Sequence, residues 1–152
     1  MRLSTKGRYG VRMMMELAAH YGEGPILLKD IAQRQDISEK YLWQLINSLK
    51  IANLVNSTRG SHGGYTLAKS PSEINLNDII CVLEGKPSLV ECIDNPSVCN
   101  RAEMCAARDI WDEVSSKISE TLKAVTLENM VDKQKAKYSR LKIKDSGLGE
   151  VS

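Results

Sequence analysis

The stretch between Leu28 and Leu67 constrains the fold more than any other part of the chain. A short helical segment, Leu28–Gln35, is followed by Asp36 and Ile37, which turn into a second helix over about Glu39–Asn53. Ser38 is a good N-cap for that helix, because its hydroxyl can accept from a backbone N–H left free in the first turn. Leu42, Leu45, Ile46 and Leu49 recur at i, i+3, i+4 and i+7, while Lys40, Trp43, Gln44 and Asn47 fall on the opposite side. Two short strands, Leu54–Ser57 and Tyr65–Leu67, then flank the glycine-rich tip TRGSHGG. Two helices about a tight turn, then a hairpin, predict a winged helix-turn-helix.

The flanking segments predict a mainly α protein around that unit. Tyr9, Met13, Leu17 and Tyr21 mark a first helix over Thr5–Tyr21, stopped by Gly22 and Gly24-Pro25. After a turn at Ser70-Pro71, Ile74–Leu83 reads as another short helix, and Gly85–Met104 as an irregular loop. Ala106–Lys123 is helical again, with Ile110, Val114, Ile118 and Leu122 in line and Trp111 and Val125 beside them. The last twenty residues, rich in Lys, Ser and Gly, predict disorder. The division expected is a DNA-binding unit at 1–84, a cysteine loop at 85–105, a long helix at 106–130 and a tail at 131–152. Phe is absent, so the core must be built from Leu, Ile, Val, Met and Ala.

Charge supports a nucleic-acid partner once it is divided along the chain. Residues 1–67 hold nine Lys/Arg against five Asp/Glu, and residues 68–152 hold twelve against fourteen. A basic front half confines phosphate contacts to one module. The opening MRLSTKGRYG is polar, the apolar Met13–Met15 run stops at Glu16, and no stretch reaches bilayer length. The compartment expected is the cytoplasm, where thiols stay reduced.

A helix fits the major groove, where its N-terminal side chains meet base edges. Lys40, Trp43, Gln44 and Asn47 are available for that role. Gln44 can pair with a base edge in two hydrogen bonds, and Lys40 can read guanine or phosphate. Ser38 and Tyr41 can hold phosphates, and Arg59 can enter a narrow minor groove beside His62. Gly60, Gly63 and Gly64 would let the wing backbone approach the duplex. The plainer reading is a solvated helix face, but a Trp on such a face calls for a partner.

Three cysteines crowd into ECIDNPSVCNRAEMC: Cys92, Cys99 and Cys105, spaced C-x6-C-x5-C. Thiolates are soft ligands suited to zinc and iron–sulfur centres, and these spacings exceed those of a zinc knuckle. The plainer reading is three free thiols in a mobile loop, of which one or two oxidise. Cys81, set among Ile79, Ile80, Val82 and Leu83, reads as a buried, inert thiol.

Together MRLSTKGRYGVRMMMELA, SEKYLWQLINSLKIANLV, TRGSHGGYTLA and the three cysteines closely resemble the IscR-type regulators, a family that includes NsrR, RirA and CymR. The resemblance covers roughly residues 1–130. It implies a homodimeric winged-helix repressor with a long helix crossing to the partner subunit, for which 106–130 is the candidate. Cys92, Cys99 and Cys105 match the cluster cysteines, which CymR-type members lack; Arg59 matches the wing arginine, and Tyr41 and Gln44 match recognition-helix residues. Two positions depart from the pattern: Arg108 stands where IscR has a ligand histidine, and Arg8 where NsrR has an acidic residue. That favours a 4Fe–4S over a 2Fe–2S cluster, with Glu103, Asp109 or His62 as fourth-ligand candidates. Lys40 and Trp43 replace the small polar and acidic residues of IscR, so operator preference should differ.

The resulting expectation is a sequence-specific regulator of duplex DNA controlled by an iron–sulfur cluster that reports iron–sulfur status, redox state or nitric oxide. The alternative is a cluster-free thiol switch or cysteine-metabolism repressor on the same scaffold. An enzyme is disfavoured: there is no CxxC, no Ser/His/Asp set and no phosphate-binding glycine loop, and only His20 and His62 supply imidazoles.

Overall fold

Apolar residues at helical spacing bring five helices and a hairpin around one core. The computed structural model describes residues 2–147. Helices α1 (Thr5–Ala19), α2 (Leu28–Gln35) and α3 (Glu39–Ile51) precede strands β1 (Val55–Thr58) and β2 (Gly64–Leu67). Then come α4 (Leu76–Glu84), the single turn α5 (Glu91–Asp94), α6 (Ala106–Lys123) and α7 (Leu127–Gly147). Short 3-10 turns lie at Pro71–Glu73, Pro96–Val98 and Ala102–Met104. The mainly α winged helix-turn-helix expected from the periodicity is the architecture found.

The core gathers Met13, Met14 and Leu17 of α1, Ile31 of α2 and the Leu42–Leu45–Ile46–Leu49 stripe of α3. Ile74, Ile79 and Leu127 close it from below. Each fully buried aliphatic side chain contributes about 1.5–3 kcal/mol of transfer free energy. Asp36 ends α2 in a left-handed conformation (φ 53°), and Asn53 does the same just after α3 (φ 60°). These two residues set the tight turns that aim α3 outward and return the chain into the hairpin.

The hairpin is antiparallel, with Val55 opposite Leu67 and Thr58 opposite Gly64. Ile26 adds a third short rung, exchanging backbone bonds with Tyr65 at 3.0 and 2.8 Å. The wing is thereby tied to the segment entering α2.

The C-terminal third departs from expectation. Helix α6 ends at Lys123 as its apolar spacing predicts, but the long helix assigned to 106–130 does not continue beyond it, because residues 124–126 are held by the chain before α4. Leu76 N–H donates to the Val125 carbonyl (2.8 Å) and Leu127 N–H to the Ile74 carbonyl (2.9 Å). Thr126 and Asn129 then cap α7 reciprocally, side chain to backbone, at 3.0 and 3.1 Å. The tail expected to be disordered from 131 is helical to Gly147, with Leu127 and Val131 buried against the core; residues 148–152 lie outside the described residues. Helix α6 leaves Ile110, Trp111 and Val114 at 54%, 44% and 39% exposure, an apolar face left open among the described residues.

Candidate nucleic-acid interface and cysteine loop

The reading surface is built by α3 and the wing. Ser38 caps α3, its Oγ accepting from Tyr41 N–H at 3.4 Å. Lys40, Trp43 and Gln44 stand exposed beyond that cap, and Asn47 is half-buried one turn on. Trp43 is 56% exposed, a large aromatic open on a polar helix face. Tyr41 is differently placed. Its ring meets Tyr9 edge-on, with centroids 5.9 Å apart, and its hydroxyl lies 2.9 Å from Thr5 Oγ1. It thus braces α3 on α1, and any phosphate contact must share the hydroxyl with Thr5. Arg8 and Arg12 sit over the Tyr9 ring at 5.8 and 5.6 Å.

Between α3 and the wing runs an open groove of about 460 Å³, lined by Lys29, Trp43, Lys50, Arg59 and Tyr65 among others. Three cations face Glu39 there, so the groove is basic. Lys29 and Lys50 did not stand out in the sequence. Lys29 belongs to α2, and only closure of the hairpin brings it near Arg59. Lys50 Nζ donates to Ser57 Oγ at 3.3 Å, which fixes the helix end to the first strand.

The wing glycines are not all for close approach to a duplex. Gly63 is buried and donates its N–H to the Gly60 carbonyl at 3.0 Å; a side chain there would strike the Thr58 carbonyl. A side chain on Gly64 (φ 144°) would overlap Ile26 backbone. Both are required by the hairpin's own packing, which leaves Gly60 as the open position. His62 lies at the same tip but lines a second cleft with His20, Glu23, Asp30 and Arg34. In that cleft His20 Nδ1 is 2.6 Å from Glu23 Oε2, and Arg34 pairs with Glu16 at 2.8 Å. That hydrogen bond to Glu16 raises the Arg34 pKa further above its ordinary value.

The cysteine loop spans α4 to α6. Cys92 lies in α5, Cys99 follows the 96–98 turn, and Cys105 is the residue from which α6 starts. Cys92 and Cys105 are half-buried, Cys99 is exposed, and all four cysteines are free thiols. Among the described residues no three Cys, His, Asp or Glu side chains converge closely enough to hold a metal ion. The donor set suits an iron–sulfur group in chemistry, since it offers three soft thiolates. In arrangement it is not gathered. Arg108, where a ligand histidine would stand, donates from Nε to the Cys92 carbonyl at 2.9 Å. Glu103 and Asp109 are exposed, and His62 is on the wing.

Two further contacts anchor the loop. Leu89 N–H donates to Ser115 Oγ (3.0 Å), and Ser115 Oγ–H donates to the Trp111 carbonyl (2.7 Å). Cys81 is not the buried thiol its apolar neighbours suggested. It is half-buried and lines a polar cleft between α4 and α6 with Asn77, Asp112 and Ser115, because α4 turns this side away from the core.

With that geometry in place, the similarity to known proteins is decisive. Residues 3–133 match the family described as Rrf2, iron-dependent transcriptional regulator. The chain belongs to the Rrf2 family. It is 45% identical to the transcriptional regulator CymR of Bacillus subtilis over 130 residues, 86% of this chain and 89% of that protein. The solved structure of CymR, the global cysteine regulator of B. subtilis, aligns with a TM-score of 0.72 over 87% of this chain and 97% of that one. The regulator IscR of Photorhabdus laumondii is 38% identical over 134 residues, 88% of this chain and 81% of that protein. The structure of IscR from T. potens aligns at a TM-score of 0.70 and 39% identity, over 100% of this chain and 93% of that one. This Rrf2 chain is therefore a DNA-binding transcriptional regulator of the winged-helix type, not an enzyme. No described helix is long and apolar enough to cross a membrane.

Proposed function

We propose that this chain is a homodimeric, cytoplasmic repressor that occupies a duplex operator and releases it according to the state of the thiols in the 85–105 loop. One observation carries the reading: Cys105 begins α6 while Cys92 is bonded to α6 through Arg108. A chemical change at either cysteine acts on the helix proposed to set the spacing of two reading heads. Half-sites recur one helical turn apart, so a small reorientation changes affinity. A shift in occupancy from 1:99 to 99:1 takes about 5.5 kcal/mol of differential affinity.

The cluster-free thiol switch, or a cysteine-responsive repressor of the same build, is the form that the ungathered sulfurs and the likeness to CymR support best. In it, two thiols lose two electrons and two protons to a disulfide or peroxide oxidant. The three cysteines themselves, and the likeness to IscR, support a second form. There Cys92, Cys99 and Cys105 would hold an iron–sulfur cluster, 4Fe–4S rather than 2Fe–2S, which would supply an oxidant-labile inorganic core.

The test is protein purified without oxygen, then left alone, treated with disulfide oxidant, or reconstituted with ferrous iron and sulfide. Each sample is titrated by anisotropy on one duplex that the wild-type chain selects from a random pool. The thiol form expects a colourless protein whose affinity shifts on oxidation, with Cys→Ser variants abolishing the shift. Visible absorbance with retained iron would replace it by the cluster form. Equal affinity in all three states would remove the sensing claim.

A further inference from the structure

Helix α7 carries a charge pattern that neither the reading head nor the cysteine loop uses. Residues 68–132 hold six basic and twelve acidic side chains, whereas residues 133–144 hold six basic and no acidic ones. Four of those six, Lys133, Lys137, Arg140 and Lys144, fall at i, i+4, i+7 and i+11. On a helix this spacing puts them in one stripe about 16 Å long. All four are exposed, and none forms an ion pair among the described residues. Like charges at i and i+4 weaken a helix, and only Lys144, in the last turn, complements the helix dipole, so helix stability does not account for the stripe as a whole.

The opposite face of α7 is the one that packs. Leu127 and Val131 are buried, and Val131, Gln134, Lys135 and Tyr138 share a cleft with Arg12 and Gln35. Gln35 ends α2, three residues before the Ser38 cap of the recognition helix. The stripe is thus carried on the same body as the reading surface, with its cations turned outward.

We propose that the stripe Lys133–Lys137–Arg140–Lys144 is a second phosphate-contacting surface, binding the backbone of duplex DNA flanking the site that α3 and the wing read. It rests on the operator-binding reading above. A polyanion relieves the repulsion along the stripe, and lysine and arginine side chains in a row give affinity without sequence preference. Leu141 and Ile143 lie to either side of the stripe and form no continuous apolar face for a membrane surface.

The test uses the full chain and a variant with Lys133, Lys137, Arg140 and Lys144 all changed to Gln. Both are titrated on the selected duplex and on a random-sequence duplex of equal length, across a salt series. The expected result is weaker binding by a similar factor, about tenfold or more, on both duplexes. The log affinity against log salt slope becomes shallower by about 0.9 for each lost phosphate contact. Replacing the three lysines by Arg keeps wild-type affinity and slope, and the thermal melt of the Gln variant reports that it folds. Unchanged affinity and slope in a folded Gln variant overturn the proposal. So does loss confined to binding of phosphatidylserine vesicles, or a change in oligomeric mass with DNA affinity intact. If wild-type protein selects no duplex at all, the operator reading itself has failed, a distinct outcome.

Discussion

Glu84 is the last residue of α4, yet its carboxylate opens α1. It accepts from Ser4 Oγ (2.5 Å), Gly7 N–H (3.0 Å) and Ser4 N–H (2.9 Å). A negative charge there also complements the positive end of the α1 dipole. The Ser4 hydroxyl bond is the largest cause holding the Glu84 carboxyl below its ordinary value, against a smaller opposing effect of desolvation and with help from the Gly7 and Ser4 amides. Because the folded pKa is depressed, the stabilisation is complete above the ordinary glutamate value, about 4.3, and is lost as pH falls through the lower folded one. Glu84→Gln should therefore lower stability near pH 7 by about 0.5–1 kcal/mol, kept small by solvent screening of an exposed carboxylate. The gap to wild type should narrow as pH falls below the ordinary glutamate value and close only below the depressed folded one, where both carry a neutral side chain. Urea midpoints along an acid pH series check this, and a pH-independent gap would refute the carboxylate's role. None of it was legible beforehand. The pair is eighty positions apart, and Gly7 and Gly10 gave only a hint, since a side chain on Gly10 would overlap Leu83 of α4. Glycine in a helix often marks such an approach, but it does not say which element approaches.

The elements were more legible than their ends. Every long helix of the first half follows an apolar stripe, and the α3 stripe is buried as its spacing requires. The wing was legible from turn residues, but its third rung at Ile26 was not, because one bridged residue leaves no periodic signal. Helix α7 was missed for a related reason. Its lysines mask the Leu127–Val131 anchor, and composition alone reads as disorder. On the reading surface, Arg59 is exposed at the hairpin tip above the groove that holds Lys29, Trp43 and Lys50. It forms no ion pair among the described residues, so its charge is free for a duplex. Arg59→Ala should weaken binding to the selected duplex by about tenfold, or 1.4 kcal/mol, without changing the thermal melt. Anisotropy at fixed salt reads the change; equal affinities would place the duplex elsewhere than the wing.

At the scale of the whole molecule, one helix stands apart from the core. The DNA-reading unit and α7 share one core, whereas α6 packs mainly on α4 and α5, and among its described residues only Ser115 is buried. A helix with Ile110, Trp111 and Val114 outward on one side favours association through that side. The two-fold pair proposed above would cover it with the same face of a second copy, the arrangement symmetric regulators use to meet two half-sites. The serine at 115 fits this division. Its hydroxyl is spent on Leu89 and Trp111, which holds the cysteine loop on the inner side of α6 and leaves the apolar side free. Trp111→Glu should therefore raise the dimer dissociation constant by at least about tenfold, since a buried aromatic anchor is worth about 2 kcal/mol or more. Light scattering on a concentration series should show monomer where wild type is dimer, with the melt of the DNA-reading unit retained. DNA affinity should fall with it, because two tethered heads bind with an effective concentration that separate heads lack. A Trp111→Glu chain that remains dimeric would place the pairing surface off α6, and the coupling from Cys92 and Cys105 to the reading heads would need another route.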